Sequence, residues 1–271
     1  MPTYRRARQI GETLRSLLDG RFTDFELLVR DDGDGADGTA EAVASTGAGD
    51  QRVIYHRNAR RLGMPGNLNQ GIKAARGWLV AVCHDHDLYA ADFLTEMVAA
   101  LDRHPSALFV HCAIEVIDQD GRRVSTSSGA WPEIVRGREW LRFMLSSFDC
   151  PVCALTVVRR EAYQRLGLYD PAYGFVSDVE MWMRLSLHGD VAYLRRPLIQ
   201  VREREENHEI NQDAALIDRI VGRMQRRYLG LAYAPTQRLA KRLKLELRVA
   251  RRVARNSAAL TMHRLLARLN Q

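Results

Sequence analysis

Apolar positions in the first hundred residues alternate between helical stripes and short β-rich runs. Ile10, Leu14, Leu17 and Leu18 recur at helical spacing and predict an amphipathic helix over 6–19. Phe25 to Val29 reads as a strand, followed by an acidic, Gly-rich turn and a helix from about Thr39. Val53 to His56 is the next strand. Gly63-Met64-Pro65-Gly66 reads as a loop, and Asn67 to Arg76 as a helix closed by Gly77. Val80-Ala81-Val82-Cys83 is short, apolar and β-rich, a buried central strand. Phe93, Leu94, Met97, Val98 and Leu101 then share one face of a helix. Strands alternating with helices predict an α/β fold, a Rossmann-like, mainly parallel sheet flanked by helices.

The second half continues less regularly. Ala107 to Ile117 is a strand, and Asp118-Gln119-Asp120-Gly121 turns it back into Arg122-Arg123-Val124. Ser125 to Trp131 is small and polar, a surface loop. Gly137 to Ser146 and Arg160 to Leu166 are helices, Ala154 to Val158 and Val191 to Leu194 strands, and a helix with an acidic first turn opens at Ser177. From Gln237 onward Leu239, Leu243, Leu247, Ala250, Ala254, Ala258, Met262, Leu265 and Leu269 fall on one helical face, with arginines around the rest. The chain thus divides into an α/β domain, 1–211, and a basic amphipathic helical tail, 212–271.

Composition adds limits. Apolar residues make up 46% and charged residues 27%, ordinary for a soluble domain. No apolar run approaches the roughly 20 residues that cross a bilayer, and Met1 to Arg6 has no apolar leader. Cys83, Cys112, Cys150 and Cys153 are few and irregular, which argues for a reducing compartment. Cys150-Pro151-Val152-Cys153 has no second pair and reads as a strand start. The net charge of +7 is uneven: from Asp213 onward fourteen Lys and Arg face Asp213, Asp218 and Glu246, so the tail is +11 and the body −4. A mildly acidic body excludes nucleic acid as its partner. The basic helix either lies on an anionic membrane surface or packs on the domain or a second subunit. The expected location is cytoplasmic, with peripheral contact at the inner membrane face if the tail binds lipid.

The candidate chemistry gathers where predicted strands end. His84-Asp85-His86-Asp87 follows the Val80 strand, at the carboxyl edge where open α/β sheets bind ligands. Carboxylate oxygens suit Mg²⁺ or Mn²⁺, and imidazole moves the preference toward Mn²⁺ or a later metal. The other reading of this tetrad is a solvated loop whose Asp residues cap the next helix. Asp31 and Asp32 end the Phe25 strand, where carboxylates can accept hydrogen bonds from a ribose or a base N–H. Two such clusters on one sheet should converge at the same edge.

In order and spacing these segments resemble the family-2 glycosyltransferases, inverting nucleotide-sugar enzymes of the GT-A fold, from Pro2 to about His208. Pro2-Thr3-Tyr4 resembles the family's Pro-x-Tyr-Asn, and Glu26 to Asp34 its Glu-Leu-Ile-Val-Val-Asp-Asp-Gly-Ser. Asn58 to Gly63, Asn67, Asn69 and Ala75-Arg76-Gly77 resemble its Asn-x-Gly…Asn…Ala-x-Gly run. Asp85-His86-Asp87 falls at its Asp-x-Asp metal motif. Gly167-Leu168-Tyr169-Asp170 and Asp178 to Arg184 resemble its Gly-x-Phe-Asp and Glu-Asp-x-Glu-Leu-Trp-x-Arg segments. The resemblance implies that Asp32 binds the nucleotide, with Pro2, Tyr4 and Asn67 lining that pocket and Asp85 near the ribose. It implies a divalent metal, Mn²⁺ or Mg²⁺, at Asp85, His86 and Asp87, with His208 completing the site or standing exposed in its loop. Asp178 matches the general base, while Glu180 and Arg184 orient its helix. The implied partners are a nucleotide-sugar donor, UDP by family frequency, and a glycan, lipid-linked or small-molecule acceptor.

Three features depart from the family. Tyr4-Arg5 replaces Tyr-Asn, His84 and His86 stand where carboxylates are usual, and the family's first strand would precede Pro2, which places the expected start upstream. The histidines favour an altered metal preference; they also support the alternative of a non-catalytic sugar-nucleotide or partner-binding module. A nucleotidyltransferase would want a Gly-rich phosphate loop near the N-terminus, and the chain has none.

Overall fold

The structure, a computed structural model, describes residues 1–147, 150, 152, 156–203 and 214–243. It divides into two units, residues 1–140 with 150–203, and residues 141–149 with 204–271. In the first unit β1 (Pro2–Thr3), β2 (Leu27–Asp31) and β3 (Val53–Arg57) form a parallel sheet. A second sheet runs β4 (Leu79–Val82), β9 (Thr156–Arg159), β6 (Ala107–Ile117), β10 (Asp190–Arg202) and β5 (Leu88–Tyr89). Two further strands join it, β7 (Arg123–Ser127) on β6 and β8 (Ile134–Val135) on β10. The β6–β10 pair is parallel and the other pairings of this sheet are antiparallel. Among the described residues the α-helices of this unit are α1 (Ile10–Leu18), α2 (Thr39–Thr46), α3 (Gly63–Ala74), α4 (Phe93–Arg103), α6 (Arg160–Leu166) and α7 (Ser177–Ser186), while α5 (Gly137–Ser147) falls mostly in the second unit.

The stripe on α1 buries Ile10, Leu14 and Leu17 in one cluster with Val29 of β2, Met97 and Leu101 of α4, and Val110 of β6. Each such side chain, fully buried, contributes about 1.5–3 kcal/mol. The first eight residues of β6 are all buried, as expected of a strand covered on both faces. Met1 donates its α-amino group to the Leu28 carbonyl at 2.9 Å, and burial pulls that amine below its usual pKa.

Several expected boundaries move. The Gly63–Gly66 segment is the first turn of α3 rather than a loop, because a distant carboxylate caps it. That helix ends at Ala74, with Ala75 extended, so Gly77 is not its terminator. Ser125 to Ser127 are not loop but the exposed end of β7, paired to Ile114 to Val116. β10 runs on past Leu194 to Arg202, through Arg195-Arg196-Pro197. Its register shifts on either side of Pro197, which has no N–H to give a ladder and is tolerated at such an irregularity.

In the second unit, α8 (Ala214–Ala232) buries Met224, Tyr228 and Leu229, and Arg142 donates to the Ala232 carbonyl at 3.2 Å. Residues 235–243 are helical, with Leu239 and Leu243 exposed. The rest of the predicted tail helix lies outside the described residues. No helix of the described residues is long and apolar enough to cross a membrane.

One buried group in the first unit makes stability depend on pH. His111 of β6 is 1% exposed against Tyr193, Trp140 and Phe109, and neither ring nitrogen has a partner among the described residues. Burial pushes its pKa down to about 3. The unfolded chain takes up the proton near pH 6.5 and the native state does not, so stability is lost as pH falls below that value. Between pH 7 and pH 5 this one group should cost about 2 kcal/mol. Urea unfolding of the parent and of His111→Phe at both pH values should show the difference shrinking by that amount; an equal loss in both would assign it elsewhere.

Candidate active site

β4 ends at Val82, and Cys83 to Asp87 form the loop before β5. Two hydrogen bonds from the far end of β10 close this loop. Arg202 donates its backbone N–H to Asp87 Oδ1 at 3.1 Å and its Nε to the His86 carbonyl at 2.9 Å. Its guanidinium also reaches Glu12 of α1. Sequence reasoning gave Arg202 no role; it lies 115 residues from Asp87, and only the β10–β5 pairing brings it there.

Within the loop, His84 Nδ1 stands 3.1 Å from Asp87 Oδ2, and His86 Nδ1 stands 2.9 Å from Asp85 Oδ1. The imidazoles stack with centroids 5.4 Å apart. His84, His86 and Asp87 each offer an atom within 4.8 Å of the others, a donor set that fits a divalent metal. Burial opposes charge on Asp85, but His86 and Arg6 hold its carboxyl below the usual range. Burial likewise opposes charge on Asp87, and His84, His86 and the Arg202 N–H hold it low. For His84, burial pulls the imidazole down, and Asp87, Asp85 and Asp178 outweigh it and raise its pKa. Of these carboxylates Asp178 acts most weakly. It is half-buried in the first turn of α7, where its Oδ1 accepts the Val179 N–H at 2.7 Å.

Asp178 owes its place to a network that the sequence showed only in pieces. Trp182 of α7 is fully buried against Phe109 and Tyr169, with centroids 5.3 Å and 6.2 Å away. Glu180 is buried and accepts from Arg184 at 2.8 Å, and Arg184 also donates to the Leu166 and Leu168 carbonyls. Asn69 of α3 exchanges two hydrogen bonds with the backbone of Tyr169, which ties α3 to the segment before α7.

Asp32 stands at the end of β2 with a carboxylate that already serves the fold. Oδ1 accepts from Asn58 Nδ2 and the Leu62 N–H, and Oδ2 from the Leu62 and Gly63 N–H groups, at 2.8–3.0 Å. These orphan donors of α3 are what make Gly63 a helix start. Three donors, one of them shared between both oxygens, fill the carboxylate's roughly four lone-pair positions. Tyr4, Asp32, His56, Asn58, Arg60 and Arg61 line an open cleft of about 590 Å³. The Arg61 guanidinium lies over the Tyr4 ring at 4.2 Å, and Arg5, with a left-handed φ of 55°, pairs with Asp34. Pro2 and Asn67 are elsewhere. They line an apolar cavity of about 170 Å³ with Leu28, Val80 and Val82, and Asn67 meets the cleft only through Asn58. His208 lies outside the described residues.

Residues 1–167 match the family model of glycosyl transferase family 2. The chain is a family-2 glycosyltransferase. Among curated relatives, it is 26% identical over 210 residues to the putative glycosyltransferase EpsE of Bacillus subtilis, 75% of this chain and 71% of that protein. It is 28% identical over 116 residues to the GalNAc(5)-diNAcBac-PP-undecaprenol β-1,3-glucosyltransferase of Campylobacter jejuni, 42% of this chain and 37% of the relative. The first curated relatives are much longer than the matched region: the chain spans only 37% and 29% of two of them. Among solved structures, Staphylococcus aureus TarS in complex with UDP-GlcNAc aligns with a TM-score of 0.66 at 19% identity, covering 89% of this chain and 67% of that one. The mannosyltransferase PcManGT of Pyrobaculum calidifontis, in complex with GDP-Man and Mn²⁺, aligns with a TM-score of 0.61 at 20% identity, covering 96% and 72%. At these identities the structural likeness shows the GT-A fold.

Proposed function

We propose that this family-2 glycosyltransferase moves a sugar from a nucleoside-diphosphate donor, UDP-linked by preference, to an acceptor hydroxyl with inversion. Asp178 is the general base. The observations that carry this reading are the family match over residues 1–167 and the donor set of His84, His86 and Asp87 at a strand's carboxyl end. In the transfer, Asp178 takes the proton of the acceptor hydroxyl as its oxygen bonds to the anomeric carbon. The bond from that carbon to the diphosphate oxygen breaks on the opposite face, and a single in-line displacement inverts the centre. A divalent metal bound on the Cys83–Asp87 loop supplies positive charge to the departing diphosphate. Tyr4 and Asp32 serve the nucleotide in the open cleft, and Pro2 and Asn67 support it from behind. TarS and PcManGT are described with UDP-GlcNAc and with GDP-Man and Mn²⁺, which supports a nucleotide-sugar donor here. The acceptor class we favour is a lipid-linked glycan, in line with the undecaprenol-linked substrate in the Campylobacter relative's name.

Thermal unfolding with UDP, dTDP or GDP, each with and without Mn²⁺, tests the proposal. At a free nucleotide concentration 100 times Kd, the native state gains about 2.7 kcal/mol, enough for a clear rise in Tm. A metal-dependent rise for one nucleotide is the expected result. No rise for any of them would favour the non-catalytic binding module instead.

A further inference from the structure

The ligand set on the Cys83–Asp87 loop is richer in nitrogen than a carboxylate pair. His84 Nδ1 and Asp87 Oδ2 lie 3.1 Å apart, and His86 Nε2 and Asp87 Oδ1 lie 3.8 Å apart. Two ligands that share one ion through bonds of about 2.1 Å sit roughly 3.0–3.4 Å from each other. The first pair already has that spacing, and the second needs only a small closure. Asp85 is turned differently. Its Oδ1 is 2.9 Å from His86 Nδ1, on the opposite side of that ring from Nε2. It also faces Arg6 Nε at 3.8 Å. A carboxylate on one ring nitrogen fixes the tautomer and leaves the other nitrogen bare for a metal, an arrangement common around ligating histidines. Asp87 is held in turn by the Arg202 N–H on Oδ1, which leaves Oδ2 toward His84.

We propose that His84, His86 and Asp87 are the metal ligands, that Asp85 positions His86, and that this centre takes Co²⁺ or Zn²⁺ well ahead of Mg²⁺. Two imidazoles and one carboxylate suit later first-row metals, whose affinity for nitrogen sites climbs from Mn²⁺ through Co²⁺. Mg²⁺ prefers oxygen ligands in near-ideal octahedra and gains little from imidazole. Three protein ligands leave coordination positions open for diphosphate oxygens, so the inference rests on the proposed transfer reaction for its purpose but not for its binding chemistry.

The test is metal binding by the full-length, nucleotide-free protein, read by calorimetry and by the visible absorption of bound Co²⁺. The expected result is one Co²⁺ per chain, displaced by Zn²⁺, with a Kd at least tenfold below that for Mg²⁺. His84→Ala and His86→Ala should each weaken Co²⁺ at least tenfold. Asp85→Asn should weaken it 10- to 100-fold while the visible spectrum keeps its shape, since a carboxylate that holds a ligating imidazole changes affinity and not the ligand count. Far-ultraviolet circular dichroism of each metal-free variant controls for folding. Equal affinity for Mg²⁺ and Co²⁺, an unchanged Kd in His84→Ala, or an intense sulfur-to-cobalt band in the near ultraviolet would each overturn the assignment. A nucleotide-induced Tm rise with Mg²⁺ and no Co²⁺ preference would sink this inference alone; tight Co²⁺ binding with no nucleotide response would sink the transferase reading alone.

Discussion

Asp178→Asn is expected to lower kcat by roughly 10²- to 10⁴-fold, the usual contribution of a positioned general base. The amide keeps the size of the side chain and an oxygen for the Val179 N–H that Oδ1 now accepts. It cannot take up the hydroxyl proton. Nucleotide affinity should stay within a few-fold, because Asp178 lies on α7 and the cleft of Tyr4 and Asp32 is built from residues just after β1 and β2, the end of β3 and the residues before α3. Steady-state turnover with a competent donor and acceptor, set beside the UDP Kd from calorimetry, separates the roles. Lost turnover with retained binding fits the base. Undiminished turnover removes Asp178 from that role, whatever the substrate proves to be.

The second large effect concerns the network beneath that carboxylate. Arg184→Met should destabilise the protein by about 3–5 kcal/mol, the range for breaking a buried ion pair from one side. Glu180 is 2% exposed, and its carboxylate would lose the 2.8 Å hydrogen bond from Arg184. The Leu166 and Leu168 carbonyls would lose donors at 2.7 Å and 2.8 Å in the same step. Gly167 between them has a φ of 91°, and a Cβ there would meet Arg184 Nη1 at 3.0 Å, so the turn is shaped around this guanidinium. Glu180→Leu combined with Arg184→Met should recover part of the loss by removing the carboxylate as well, since apolar replacement of a buried pair is often close to neutral. Urea midpoints of the two single variants and the double variant make the comparison. Additive losses would mean that the two side chains act separately.

The histidines give the loop from His84 to Asp87 its character and were visible in the sequence as a departure from carboxylates. Their division of labour was not. Adjacent positions 84 to 87 gave no sign that Asp85 faces His86 while Asp87 faces His84. Side-chain direction in a short loop is set by what holds its ends, here β4 on one side and the Arg202 contacts on the other. Asp32 was also read in part. Its place at a strand end was legible in the run from Phe25 to Asp32, but its three donors come from residues 58 to 63.

By itself the sequence determined the local elements and the family. The periodicities of α1, α4 and β6 survive because each burial pattern is a property of contiguous residues, and helix and strand repeats are short-range. The order of the motifs from Pro2 to Arg184 carried the GT-A expectation for the same reason, since motif spacing along the chain needs no coordinates. The tertiary structure decided what depends on distant residues meeting. It extended β10 through Pro197, began α3 at Gly63 under a remote cap, moved Pro2 and Asn67 behind the cleft, and brought Arg202 to the loop from His84 to Asp87. Those outcomes follow from hydrogen-bond partners 30 to more than 100 residues away, and no local pattern encodes a partner that far along the chain.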